Sequence, residues 1–154
     1  MSGDKVLTDI EAIRTLKARF AELLDQASRG APEFDPKALC HLLTEDMTLL
    51  VGEGDGAGQV SGREAILAYA RETVPGIVHW TWHGYISPII EMAGDTATAR
   101  WMFHAYSVGK TMPASALDLT VGRTVDEYRR VDGHWRISRS QVYFNGHWPM
   151  QSRA

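Results

Sequence analysis

The sequence predicts an α+β domain, with three helices first and long antiparallel strands after them. Three observations carry this. Apolar residues recur at helical spacing from Ile10 to Ala27. A long run from His79 to Ser107 alternates like two strands folded back through Ala93-Gly94-Asp95. Asp132-Gly133 then supplies a two-residue hairpin turn between further strand-like segments. At 154 residues the chain fits one domain with a core of helix on sheet.

The elements follow in order. Thr8-Asp9-Ile10-Glu11 reads as a capping box, so the first helix is predicted over 9–28, on a stripe of Ile13, Leu16, Phe20, Leu23, Leu24 and Ala27. Gly30 and Pro32 end it. Asp35-Pro36 caps a short second helix through Leu43, and Met47 to Val51 is a short strand. The glycine-rich run 52–62 reads as a loop. Its spacing fits neither the dinucleotide fingerprint nor a P-loop, and Gly109-Lys110-Thr111 lacks the upstream glycine, so neither is assigned a phosphate. Ser61-Gly62-Arg63-Glu64 reads as a second capping box opening a helix over 62–73, closed by Val74-Pro75-Gly76. The remainder is strand: 78–92, 96–108, 119–131 and 134–145, with a loop around Pro113 and flexible ends at 1–7 and 147–154. A curved sheet wrapped on the first helix leaves a cone, a natural ligand cavity.

Composition excludes several classes. Hydrophobic residues make 44% and charged residues 23%, ordinary for a globular chain. A net charge of −3 offers no basic footprint for nucleic acid. No apolar run is long enough for a membrane span and no leader pattern opens the chain, so a cytoplasmic home is expected. Cys40, the single cysteine, cannot form an internal disulfide and sits in an apolar stretch as a buried, inert thiol.

Within the 79–107 run, His79, Thr81, His83 and Tyr85 share one strand face, and Trp80 and Trp82 share the other. Two imidazoles on a face with aromatics behind it suggest the wall of a polar-lined pocket. His79 and His83 are about 13 Å apart on a strand, too far to chelate together, and no carboxylate cluster completes a site; no metal and no cofactor is expected. His79 and His104 read by default as hydrogen-bonded core histidines. His41, His134 and His147 are assigned no role. Trp101 and Phe103, like Trp80 and Trp82, read as core or subunit contact, with pocket lining as the lesser option, and Trp135 reads as packing. Trp80 and Trp82, if outward, predict a homo-oligomer that covers exposed apolar area.

The order of these elements, with Gly-Arg-Glu-Ala-Ile opening the third helix, His-Gly-Tyr-Ile-Ser-Pro-Ile-Ile-Glu, Gly-Asp-Thr-Ala-Thr-Ala-Arg and a closing Asp-Glu-Tyr-Arg-Arg-Val-Asp-Gly-His-Trp-Arg-Ile, resembles the SnoaL-like branch of the NTF2-like superfamily over residues 8–145. Its pattern is nearest scytalone dehydratase, bile-acid 7α-dehydratase and hexachlorocyclohexane dehydrochlorinase. The resemblance implies an NTF2-like cone of three helices on a strongly curved, mostly antiparallel sheet, in a homodimer or homotrimer. It also implies an Asp–His pair, which falls on Asp25 and His83, with Ser87-Pro88 in place of Asn-Pro. Phe20 stands where dehydratases of the group often carry Tyr. Arg130 is the matching late arginine, with Arg129 on the opposite face. Taken alone, Asp25 reads as a solvated charge near a helix end; the resemblance assigns it to the pair.

The chemistry this implies is removal of a carbon-bound proton by His83, oriented by Asp25, with a hydroxide or halide leaving from the adjacent carbon. His104, Tyr106, Tyr85 or Arg130 would donate to the leaving group or to a carbonyl, and Phe20 would line the pocket. The expected activity is a cofactor-independent lyase or isomerase acting on a small apolar, cyclic molecule. A non-catalytic binder of hydrophobic ligands and a polyketide cyclase-like enzyme are the alternatives on the same fold.

Overall fold

The computed structural model describes residues 3–53, 58–111, 113 and 116–150. Helix α1 (Gly3–Ser28) buries Ile13, Leu16, Phe20, Leu23 and Ala27, the stripe its periodicity predicts. It begins at Gly3, six residues before the predicted start. Thr8 is therefore no cap: inside a helix its hydroxyl donates back to the Asp4 carbonyl at 2.9 Å. Helix α2 (Pro36–Leu42) starts as expected, with the Asp35 carboxylate accepting from the Lys37 N–H at 2.9 Å.

Strand β1 (Leu43–Val51) is longer than predicted and is followed by β2 (Gly58–Ser61), where the sequence suggested only loop. The two pair antiparallel, Thr48 opposite Ser61 and Val51 opposite Gly58; residues 54–57 of the glycine run lie outside the described residues. Helix α3 (Arg63–Ala68) has Gly62 as its cap, at φ 91°, with no side chain capping it, so the predicted Ser61 box does not form. The helical path then widens into a π turn (Tyr69–Thr73) and continues as α4 (Val74–Ile77), past the predicted stop. Pro75 is tolerated because it enters in the first turn of that new segment, where no N–H is needed.

Four long strands complete the chain: β3 (Val78–Ala93), β4 (Thr96–Gly109), β5 (Leu117–Val131) and β6 (His134–Met150). The sheet runs β2-β1-β6-β5-β4-β3, parallel only between β1 and β6. The Asp132-Gly133 turn forms as predicted, both residues at positive φ, 51° and 79°. Within the ends expected to be flexible, residues 3–7 are helical and 147–150 pair as strand with 117–120.

Bulges bend the sheet between Val78 and Trp80, between Ile86 and Ile89, and twice along β5–β6. The helices pack on one face. Trp101, Ala99, Ala97, Tyr128, Trp135 and Ile137 meet the α1 stripe there and form the core. The edge strand β3 lies along the flank of α1. The side chains of α1 take over its unpaired backbone: Thr81 N–H donates to Ser28 Oγ at 3.2 Å, and His83 N–H donates to Asp25 Oδ2 at 2.9 Å. No described helix is long and apolar enough to cross a membrane.

Candidate active site

Between the helices and the open end of the sheet lies a cavity of about 280 Å³. Phe20 and Leu24 line it from α1, Ile66 and Tyr69 from the third helical stretch, and Phe103 and Val142 from the sheet. Ile77 and Phe144 both line it and are both more than half exposed, which marks the mouth. Most of the lining is apolar; the polar groups include Tyr69, Ser107, Thr120 and Ser140 from other elements and, from β3, Thr81, His83 and Tyr85.

The strand period puts those three side chains on the helix-facing side. The Asp25 carboxylate meets them from the last turn of α1. Its Oδ1 lies 2.6 Å from His83 Nδ1 and accepts the Thr81 hydroxyl at 2.9 Å, while Oδ2 takes the His83 N–H. Ser28 braces the group, its Oγ 2.9 Å from Thr81 Oγ1 and 2.9 Å from the Asp25 carbonyl. A carboxylate in contact with Nδ1 puts the proton on that nitrogen and leaves the lone pair on Nε2. Nε2 has no hydrogen-bond partner among the described residues. Asp25 is 5% exposed, not the solvated charge its helical position alone suggests. The β3 edge covers the flank of α1 that a helical wheel leaves open.

Phe20, Tyr85 and His83 thus line one cavity, and Asp25 stands behind His83. The other candidates do not. On β4 the odd residues Trp101, Phe103 and Ala105 face inward, so His104 and Tyr106 lie on the outer face beside Trp82. His104 lies over Gly84, where a Cβ would come within 2.6 Å of its Nε2. Arg130 is on the inner side but far below the cavity, ion-paired at 2.6 Å with Asp9 and 3.0 Å with Asp95, and stacked 4.4 Å from the Trp135 ring. Arg129 serves Asp46 and Thr44. His79 is exposed rather than core, because the bulge at the start of β3 turns it out and brings Val78 to the cavity. Cys40 is only partly buried; that burial, with Glu64 nearby, pushes its thiol up from the usual range. Trp135 is packing, as predicted, with its indole N–H donating to Asp9 at 3.1 Å.

Sequence reading missed the groups behind the site. Lys17 is fully buried, its Nζ 2.7 Å from Asp126 Oδ2 and 4.0 Å from the centroid of the Tyr85 ring. Burial pulls its ammonium below the usual lysine range, and Asp126 opposes this. Asp126 also accepts from Ser140 Oγ at 2.6 Å and from Tyr128 Oη at 3.0 Å. The signal was present: Lys17 falls on the stripe between Ile13 and Phe20, and Asp126 alternates inward between Thr124 and Tyr128. Among the described residues no cluster of histidine, cysteine and carboxylate stands ready for a metal.

Three helices on a six-stranded, mostly antiparallel sheet with a cavity at the open end is the NTF2-like architecture. An NTF2-like protein with a cystatin-like fold from Novosphingobium aromaticivorans superposes at TM-score 0.69 and 26% identity, over 92% of this chain and 84% of that one. The chain belongs to the SnoaL-like domain family, whose profile matches residues 5–141. Two further solved structures share the fold. Hexachlorocyclohexane dehydrochlorinase LinA-type3 from Novosphingobium barchaimii superposes at TM-score 0.82 and 19% identity, over 99% of this chain and 97% of that one. A provisionally assigned scytalone dehydratase from Novosphingobium aromaticivorans gives 0.78 and 20%, over 99% and 95%. No curated protein matches the chain by sequence.

Proposed function

We propose that this chain is a cofactor-independent lyase or isomerase in which Asp25 orients His83 and His83 removes a carbon-bound proton from a small, apolar, cyclic molecule. One observation carries the reading: the 2.6 Å contact between Asp25 and His83 Nδ1, with His83 in the wall of a largely apolar cavity and its Nε2 without a hydrogen-bond partner among the described residues. A base needs a lone pair aimed at substrate and a group behind it to hold the tautomer and stabilise the imidazolium. The dehydrochlorinase and dehydratase among the structural neighbours support an elimination, and the small cavity supports a ligand at the low end of the usual pocket range. The apolar outer face, with Trp82, Ile86 and Met102 each about half exposed, is assigned to a second copy of the chain, giving a homodimer or homotrimer in the cytoplasm. Sedimentation as a monomer at micromolar concentration would remove that assignment.

The test of the activity is a panel of halogenated cyclohexanes and cyclic β-hydroxy ketones, first screened for binding and then followed for loss of halide or water. His83→Ala should cost about a thousandfold in turnover, within the span of general base catalysis. Wild-type turnover that His83→Ala leaves unchanged rejects the mechanism. Ligands that bind the wild type without ever reacting favour the non-catalytic binder.

A further inference from the structure

An elimination has two ends. His83 takes the proton at one, and the group leaving from the neighbouring carbon sets what the other needs. A halide departs as a stable anion. A hydroxide does not, and wants a proton delivered as its bond breaks. That donor has to stand across the substrate from the base. Among the cavity hydroxyls, those of Thr81 and Ser140 are bound to the buried carboxylates of Asp25 and Asp126. Thr120 is different. It lines the cavity, and its Oγ1 lies 3.1 Å from His147 Nδ1, so this hydroxyl is coupled to a ring that exchanges protons near neutral pH.

The register of the sheet puts the two histidines in one row. His83 pairs with Ala105, Ala105 with Thr120, and Thr120 with His147. The first three all line the cavity. Two strand spacings, about 10 Å, lie between the backbones of His83 and Thr120. The curvature of the sheet turns their side chains toward each other over the hollow. Behind Thr120 the row reaches the rim, where the His147 side chain is 57% exposed. Asp118, two residues before Thr120 on the same face of β5, is buried. Its Oδ1 has no hydrogen-bond partner among the described residues and lies 3.8 Å from His147 Nε2. A carboxylate at that range attracts a positively charged ring. Hydroxyl, imidazole and carboxylate thus lead from the cavity to its rim, opposite the base.

We infer that the Thr120 hydroxyl protonates the leaving group and that His147, beside Asp118, resupplies the proton, so that the substrate class is a cyclic alcohol that loses water. This rests on the reading of Asp25 and His83 as the base. In the step, a proton passes from carbon to His83 Nε2, and the C–H pair becomes the new double bond. The C–O pair departs with the oxygen. That oxygen takes the Thr120 hydroxyl proton as Thr120 takes the Nδ1 proton of the His147 imidazolium. Water forms, His147 is left neutral, and His83 is left positively charged. His147, open to solvent, then takes up a proton there, and His83 releases one to solvent once the product has gone. Thr120 touches the leaving group; His147 acts through it.

Two probes with one skeleton isolate this role. 3-Hydroxycyclohexanone and 3-acetoxycyclohexanone both give cyclohexenone, followed by its ultraviolet absorbance, but acetate departs without needing a proton. Wild type should turn over both, and His83→Ala neither. In Thr120→Val and in His147→Ala the ratio of alcohol to ester turnover should fall about a hundredfold, the low end of general acid catalysis. A merely structural part for either residue would slow both probes alike and leave the ratio where it was. Melting curves matching wild type check that the variants are folded. Alcohol turnover, or its ratio to the ester, left at the wild-type level in either variant overturns the proposal. Thr120→Ser keeps the hydroxyl and should keep the ratio; a loss there as deep as in Thr120→Val assigns the effect to packing and also overturns it. So does a wild type that eliminates acetate through His83 yet never water, an outcome that leaves the base standing. If neither probe reacts, the base falls and the Thr120 role with it.

Discussion

Helix α1 carries two buried carboxylates, Asp9 and Asp25, each 5% exposed and each holding a cation or imidazole from the sheet. Asp9 meets Arg130 at 2.6 Å and the Trp135 indole at 3.1 Å, at the packed end of the domain. Asp25 meets His83, Thr81 and a backbone N–H beside the cavity. By burial and bonding the two look alike. They differ in their partners and in the space beside them. Arginine does not give up its proton, whereas histidine exchanges one near neutral pH. What separates Asp25 from Asp9 is therefore a histidine partner and an adjoining cavity.

Exchanging the two roles by mutation sharpens the contrast. Asp25→Asn should lose about a thousandfold in turnover, near 4 kcal/mol of barrier, because an amide can hold His83 in the wrong tautomer. Equal loss from Asp9→Asn would erase the distinction drawn here. Asp9→Asn should instead lower stability by about 2 kcal/mol, read from urea unfolding, while each folded molecule keeps its activity. The smallest effect is one of pH. The hydrogen bond from Arg130, then that from Trp135, holds the Asp9 carboxyl below its ordinary value of 3.8. Its stabilisation is therefore whole above that value and is lost as pH falls through the lower, folded one. The gap between wild type and Asp9→Asn should narrow as pH falls below the ordinary carboxyl value and close once the folded one is passed. A gap that persists at the acid end would place its origin elsewhere than in the charge.

The two ends of α1 also show what the sequence can and cannot convey. The apolar stripe, the Asp35-Pro36 start and the Asp132-Gly133 turn were legible because each depends on neighbours in the chain. Strand β2 and the 147–150 extension of β6 were not, since pairing to distant strands makes them. Thr8 and Ser61 carried capping patterns that the structure does not use, one inside a helix and one at a strand end. Facing errors had a single cause. On β4 the core residues Trp101 and Phe103 alternate with His104 and Tyr106, which are expected at the pocket, yet in a cone core and pocket share one side at different depths. His104 and Tyr106 thus fell outside, whereas Trp101 and Phe103 lie on the side of the cavity. Arg130 had the right side and the wrong depth: alternation fixes which way a residue points, not how far along the strand it lies. Asp25 was legible only through the resemblance, since no local pattern foretells that an edge strand will cover its flank.

That coverage carries a consequence for assembly and folding. The N–H groups of Thr81 and His83 sit where a strand from another molecule would dock, and Ser28 and Asp25 occupy them. Asp25, one of the two side chains that cap this border, also holds the imidazole. The proposed base and the guarded sheet border thus depend on one contact between helix and strand. A chain whose first helix has not yet seated lacks both at once.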